Sequence, residues 1–177
     1  GDGQCAAIGA GTSDPGVLYL NMGTAVVCGR SSTDYVWDRA YRTVAGATGT
    51  GYLLEAFTSS GTYLGNWFRE EFDRSADGKP IGTDYEAAAA ALPPGSEGLL
   101  ALPYWNAAQT PYWDSKARGA LVGLTGRHGR AHMYRAILEG IAFEIKLEVA
   151  GLDGAGTPLR QVNVTGGGSR SELWVQM

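Results

Sequence analysis

The apolar positions of the chain fall into two periods, and together they lay out an ordered set of elements. Two β-branched apolar runs, Val17 to Asn21 and Thr24 to Gly29, are separated by Met22-Gly23, the pattern of a hairpin. Ala40 to Val44 predicts a third strand, and the glycine-rich Gly46–Gly51 a loop. Gly61 to Phe72 predicts a helix that gathers Tyr63, Trp67 and Phe68 on one face. Lys79 to Leu92 reads as a polar stretch leading into an alanine-rich helix, capped by Thr83 or Asp84 and ended by Pro93-Pro94-Gly95. Short strands follow at Leu99 to Pro103 and Ala120 to Leu124, with an aromatic-rich loop over Tyr104–Asp114 between them. Ala131 to Ala150 is the longest predicted helix, carried by Met133, Ile137, Ile141 and Ile145 at helical spacing. The last strand is Gln161 to Thr165. Gly166-Gly167-Gly168 then turns the chain into the opening of another helix. A short helix of small residues, Gln4 to Ala10, precedes everything else.

This order, β-β-β-α and then strand–helix units, predicts an α/β domain of the ribonuclease-H or actin-like type, a mixed sheet flanked by helices. It differs from a doubly wound sheet. Composition narrows the picture without changing it. With 177 residues, 44% of them apolar, the chain can bury a full core. Its 27 glycines sit in short clusters without a collagen period and so mark turns and close-approach loops. A net charge of −4 and the lack of a basic stripe argue against a nucleic-acid partner. No apolar run reaches the roughly 18 residues of a membrane span. Cys5 and Cys28, both in apolar surroundings, are expected to be buried, reduced thiols of a cytoplasmic protein. No cysteine or histidine spacing suggests a structural metal. The chain opens without methionine on Gly1-Asp2-Gly3-Gln4, which reads as the inside of a loop.

Three places carry candidate chemistry. Gly166–Gly168 lies between a strand and a helix, where bare backbone and unpaired N–H groups can meet an anion. It fits neither G-x-G-x-x-G nor G-x-x-x-x-G-K-[ST]. Asp2 stands between glycines at the head of a helix, either as an N-cap or as a general base that a hydroxyl can approach. Thr24 follows the predicted hairpin tip, either as a turn residue or as part of a phosphate-holding turn. Thr110-Pro111-Tyr112-Trp113-Asp114-Ser115-Lys116-Ala117-Arg118-Gly119 reads as an aromatic-anchored structural loop. His128, His132, Glu139 and Glu144 read as structural side chains.

Gly119 to Leu124, a seven-residue spacer and His132 to Glu139 resemble the C-terminal pattern of the FGGY carbohydrate kinases. The preceding TPYWDSKARG, the opening GDGQCAA, the LNMGTA hairpin and the closing GGGSRSELWVQM resemble it too, in order and from end to end. The resemblance implies an actin-like two-lobe kinase of which residues 1–177 are a partial C-terminal domain, with the N-terminal lobe and the last helices absent. It implies ATP and Mg²⁺, and a sugar or polyol as substrate. Xylulokinase-like members fit best. Glycerol kinases are next, and a non-catalytic actin-like ATP-binding module is the alternative of a different class. It further implies that Asp2 is the catalytic base, with Gly3 beside the substrate, and that Gly23 and Thr24 meet the ATP phosphates. Gly61 and Gly167 would be nucleotide glycines, with Ser171 where some members carry asparagine. Gly61 to Trp67 is one residue longer than in glycerol kinases, so Gly61 matches less directly. A homodimer is among the partners considered, and the 177 residues alone are expected to lack kinase activity.

Overall fold

The computed structural model describes residues 2–177. In chain order the elements are α1 (Asp2–Gly9), β1 (Val17–Met22), β2 (Val26–Ser32), β3 (Arg42–Ala45) and β4 (Tyr52–Thr58). Then come α2 (Thr62–Phe72), α3 (Tyr85–Ala90), β5 (Leu100–Leu102), β6 (Ala120–Val122), α4 (Arg130–Asp153), β7 (Gln161–Thr165) and α5 (Glu172–Gln176). Five strands form one mixed sheet in the order β3-β4-β2-β1-β7, antiparallel throughout except for the parallel β1–β7 pair. The α/β, mixed-sheet expectation therefore holds.

Two of its details do not. A strand falls on Tyr52–Thr58, where the sequence pattern gave no element. Leu53-Leu54-Glu55-Ala56 neither alternates nor favours strand, yet it lies between β2 and β3 with both faces covered, and tertiary pairing overrides propensity. The strands at β5 and β6 pair with each other in a separate two-stranded sheet and do not join the main one.

Alternation along the strands puts different helices on the two faces. Leu18, Leu20, Met22, Cys28, Leu54 and Ala56 point to one side, where they form a core with Phe68 of α2, Tyr85 and Ala89 of α3, and Ile137 and Ile141 of α4. Tyr19 and Leu53 point to the other side and pack with Ala7 of α1. Cys28 is buried as expected. Cys5 is exposed, because α1 is a short helix whose inward side is taken by Ala7, so the expectation for Cys5 is corrected. Both thiols are free.

The TPYWDSKARG loop is anchored on β4 and on the segment before β3. Thr110 is buried and exchanges hydrogen bonds with the Phe57 backbone, and the Trp113 indole donates to the Arg39 carbonyl at 2.8 Å.

The long helix α4 buries three carboxyl groups, Glu139, Glu144 and Glu148, and burial raises the pKa of the last two. Glu148, 1% exposed, lies 3.7 Å from the Cys28 thiol and 3.4 Å from the Thr110 hydroxyl. Burial pushes its pKa up to about 8. One turn back Glu144, also raised by burial, accepts from the Tyr104 hydroxyl at 2.7 Å. Folded Glu148 thus holds a proton that the unfolded chain releases above its ordinary value of 4.5. Stability should fall as pH rises from that value toward about 8, by up to about 1.4 kcal/mol per pH unit from this one group. Urea unfolding between pH 5 and 9 tests it: Glu148→Gln should flatten the slope, and an unchanged slope in that variant contradicts the assignment.

Candidate functional site

Three glycine-bearing segments meet at one end of the main sheet. The β1–β2 turn, residues 23 to 25, lies against the start of α2: the Gly23 carbonyl accepts from the Thr62 N–H at 2.9 Å and from the Thr62 hydroxyl at 3.0 Å. The Thr24 carbonyl accepts from the Tyr63 N–H at 3.3 Å. Gly61, the residue before α2, is buried so tightly here that a Cβ on it would overlap the Gly23 carbonyl oxygen. It would also lie 2.8 Å from both the Thr24 carbonyl oxygen and the Ala25 carbonyl carbon. The closing glycine run docks on the same hairpin. At Gly166, φ is +88°, and a Cβ would come within 2.7 Å of the Met22 carbonyl. At Gly168 a Cβ would come within 2.7 Å of the Trp174 ring.

Gly167 alone of the three faces open space, with nothing within 4 Å of its Cβ position. That space is a cavity of about 450 Å³. One wall is the α2 stripe of Gly61, Gly65 and Arg69, with Asn66 beside it, spaced four residues apart and therefore running about 12 Å along the helix. The opposite wall is the closing segment, with Gly167, Arg170, Ser171 and Trp174.

Its far end is a polar cluster centred on Glu86 of α3. The Glu86 carboxylate accepts from the Ser171 hydroxyl at 2.7 Å, from the Tyr134 hydroxyl at 2.9 Å and from Arg69 at 3.3 Å. Arg69 also donates to the Tyr134 hydroxyl and sits over its ring, 4.9 Å from the centroid. Burial above all holds the Tyr134 phenol well above its ordinary pKa, so it stays a neutral donor. One carboxylate thus ties α2, α4 and the closing segment together.

The expected helix after the glycine run begins later than the sequence suggests. Gly167–Arg170 forms a 3₁₀ turn, and α5 starts only at Glu172, with the Ser171 hydroxyl accepting from the Trp174 N–H at 3.0 Å. Ser171 is an N-cap as well as a cavity residue. The glycine run therefore contributes an open face, and the short α5 contributes no helix-end anion site of its own.

Of the residues singled out from sequence, the structure brings Gly61, Gly167 and Ser171 into one cavity, with Gly23 and Thr24 at its edge through Thr62 and Tyr63. Asp2 and Gly3 lie elsewhere. Asp2 is an exposed residue of the first turn of α1, on the opposite face of the sheet. Gly3 has a structural reason of its own: a Cβ there would strike the carboxylate of Glu55. That carboxylate is 3% exposed, accepts from the Tyr19 hydroxyl at 2.7 Å and pairs with Arg42.

Sequence reading missed Asn66, Arg69, Glu86 and Tyr134. The signal for the first two was available as four-residue spacing from Thr62 and Gly61 along a predicted helix. Glu86 and Tyr134 join the site only through tertiary packing. A second hollow of about 530 Å³ lies between α1 and the β3–β4 turn; hydroxyl groups line it but no charged side chain does, so nothing in it balances a polyanion.

Among the described residues no group of three or more His, Cys, Asp or Glu side chains could hold a metal ion. The one carboxylate lining the cavity, Glu86, is already engaged by three donors.

Comparison with known proteins agrees with this architecture. The profile of the FGGY family of carbohydrate kinases, C-terminal domain, matches residues 18–177. The chain is 32% identical to the xylulose kinase of Bacillus subtilis (strain 168) over 99% of its own length, and 35% identical to the glycerol kinase of Aromatoleum aromaticum over all of it. It spans only 35% and 36% of those two proteins. Among solved structures, the ligand-bound xylulose kinase from Lactobacillus acidophilus superposes with a TM-score of 0.81 at 31% identity, covering 99% of this chain and 35% of the other.

Proposed function

The chain belongs to the FGGY family of carbohydrate kinases, and we propose that it forms the nucleotide-side lobe of a two-lobe enzyme that phosphorylates a sugar or polyol hydroxyl with ATP. A pentulose such as xylulose is the preferred acceptor, since xylulose kinases recur among both its sequence relatives and its structural neighbours. The observation that carries the reading is the convergence of Gly61, Gly167 and Ser171 on one cavity, with the β1–β2 turn at its rim.

In this reading the cavity holds the nucleoside part of ATP; the bare backbone at Gly167 lets the ligand come close, while Gly61 lets the hairpin tip close on α2. Thr24 and its neighbouring N–H groups steady the phosphates at the hairpin tip. Asp2, on the other face of the sheet, takes the proton from the acceptor hydroxyl as its oxygen bonds to the γ-phosphorus. The bond from that phosphorus to the bridging oxygen breaks, and ADP leaves. Phosphoryl transfer asks mainly for such positioning and charge stabilisation. The second lobe would supply most of the acceptor contacts, and Mg²⁺, where it takes part, would be seated on phosphate oxygens and that lobe.

The test is an ATP-dependent phosphorylation assay of the full-length protein against a panel of ketoses and polyols. Xylulose should give the highest kcat/KM. Preference for glycerol would move the acceptor to the polyol class. ADP release that does not depend on any sugar would overturn the kinase reading in favour of an actin-like ATPase.

A further inference from the structure

Two arginines line the nucleotide cavity, and they differ in how they are held. The Arg69 guanidinium is committed to the Glu86 carboxylate, the Tyr134 hydroxyl and the Asn66 side chain. Among the described residues no hydrogen bond or ion pair engages Arg170, which is exposed and lies on the same cavity wall as Gly167. Among the described residues Glu86 is the only acidic side chain lining the cavity and it is already paired, so the cavity keeps one unbalanced positive charge in a chain whose net charge is −4.

The backbone explains where that charge points. Gly167–Arg170 is a 3₁₀ turn, and in such a turn side chains at i and i+3 eclipse. Arg170 therefore leaves the turn on the side that Gly167 leaves bare. Gly166 and Gly168 rest against Met22, the residue just before the hairpin tip. The turn that carries Arg170 thus stands beside the phosphate end of the cavity, and a flexible guanidinium on it overlooks the space between Gly167 and that tip.

We propose that Arg170 is a nucleotide-contacting residue whose guanidinium pairs with the phosphate chain of the bound nucleotide. The inference rests on the nucleotide reading of the cavity and adds a residue to it. It predicts that the charge is used against phosphate and not against the base.

Calorimetric titration of the full-length protein with ADP and with adenosine tests both points. Arg170→Ala should weaken ADP by about tenfold, the size of one lost charge-assisted hydrogen bond, and should reduce the salt dependence of ADP binding. Adenosine affinity should stay within twofold of wild type, and Arg170→Lys should recover most of the ADP affinity. Circular dichroism and the melting temperature should be unchanged, since Arg170 is exposed. ADP affinity unchanged in Arg170→Ala, while wild type binds ADP, overturns the role of Arg170 and leaves the cavity reading standing. Equal losses for ADP and adenosine overturn the phosphate assignment. A wild-type protein that binds neither overturns the cavity reading and this inference together.

Discussion

Asp2→Asn in the full-length enzyme is expected to lower kcat by about 10²–10⁴-fold while leaving ATP affinity nearly intact. The separation follows from the architecture. Asp2 sits on α1 on one face of the sheet, whereas the cavity assigned to the nucleotide lies on the other. Asparagine keeps the size and polarity of the side chain but cannot accept the acceptor's proton. Asp2 is exposed, so the change should not alter stability by more than about 0.5 kcal/mol. Steady-state kinetics with an equilibrium measurement of nucleotide binding resolve the two effects. Wild-type kcat in this variant removes Asp2 from the chemistry; loss of nucleotide binding with kcat preserved reverses its role.

The second large effect is expected at Gly61. The added methyl of Gly61→Ala meets only backbone, from Gly23, Thr24 and Ala25, and backbone cannot rotate out of the way as the end of a side chain can. Either α2 or the hairpin tip must move. Overpacking of this kind costs about 1–3 kcal/mol. The functional loss should be larger, because a shift of about 1 Å in the turn proposed to hold the phosphates can cost about 10²-fold in kcat/KM. Gly65→Ala is the control for stability alone, since Gly65 also lines the cavity. Its Cβ would lie 3.7 Å from the nearest atom, the Tyr134 hydroxyl, so the fold should accept it and gain up to about 1 kcal/mol from helix propensity. Melting temperature measured for both variants, with kcat/KM for Gly61→Ala, decides it. A Gly61→Ala protein with wild-type values on both would mean that the hairpin and α2 are not rigidly coupled.

Much of this was legible in the chain itself. The β1–β2 hairpin, α2, the Asp84-capped α3, α4 and β7 announce themselves by periodicity and by turn residues, because each buries one regular face. What escaped depends on partners far away in sequence. β4 is a strand because β2 and β3 flank it, although Leu-Leu-Glu-Ala suits a helix at least as well. Glu86 on an alanine-rich helix looks like a surface charge until Ser171 and Tyr134 are folded onto it. Conversely, Glu139 reads as a helix charge but is 8% exposed. It holds Arg135 on its own helix together with the Gly95 N–H and the Ser96 hydroxyl. Gly61, Gly167 and Ser171 were all named from the sequence, yet only the fold shows that they share a wall-to-wall space.

The three closing glycines look alike in the sequence and answer to different constraints. Gly166 is fixed by its backbone angle and by Met22, and Gly168 by the ring of Trp174; both are demanded by the way the chain packs on itself. Gly167 alone meets no atom of its own protein within 4 Å of its Cβ position. On the proposed nucleotide reading, a descendant of this fold that no longer bound nucleotide would still have to carry glycine at the outer two places, while the middle one would be free to drift. The letter at position 167, and not the glycine count of the loop, is where a lost trade would first be written.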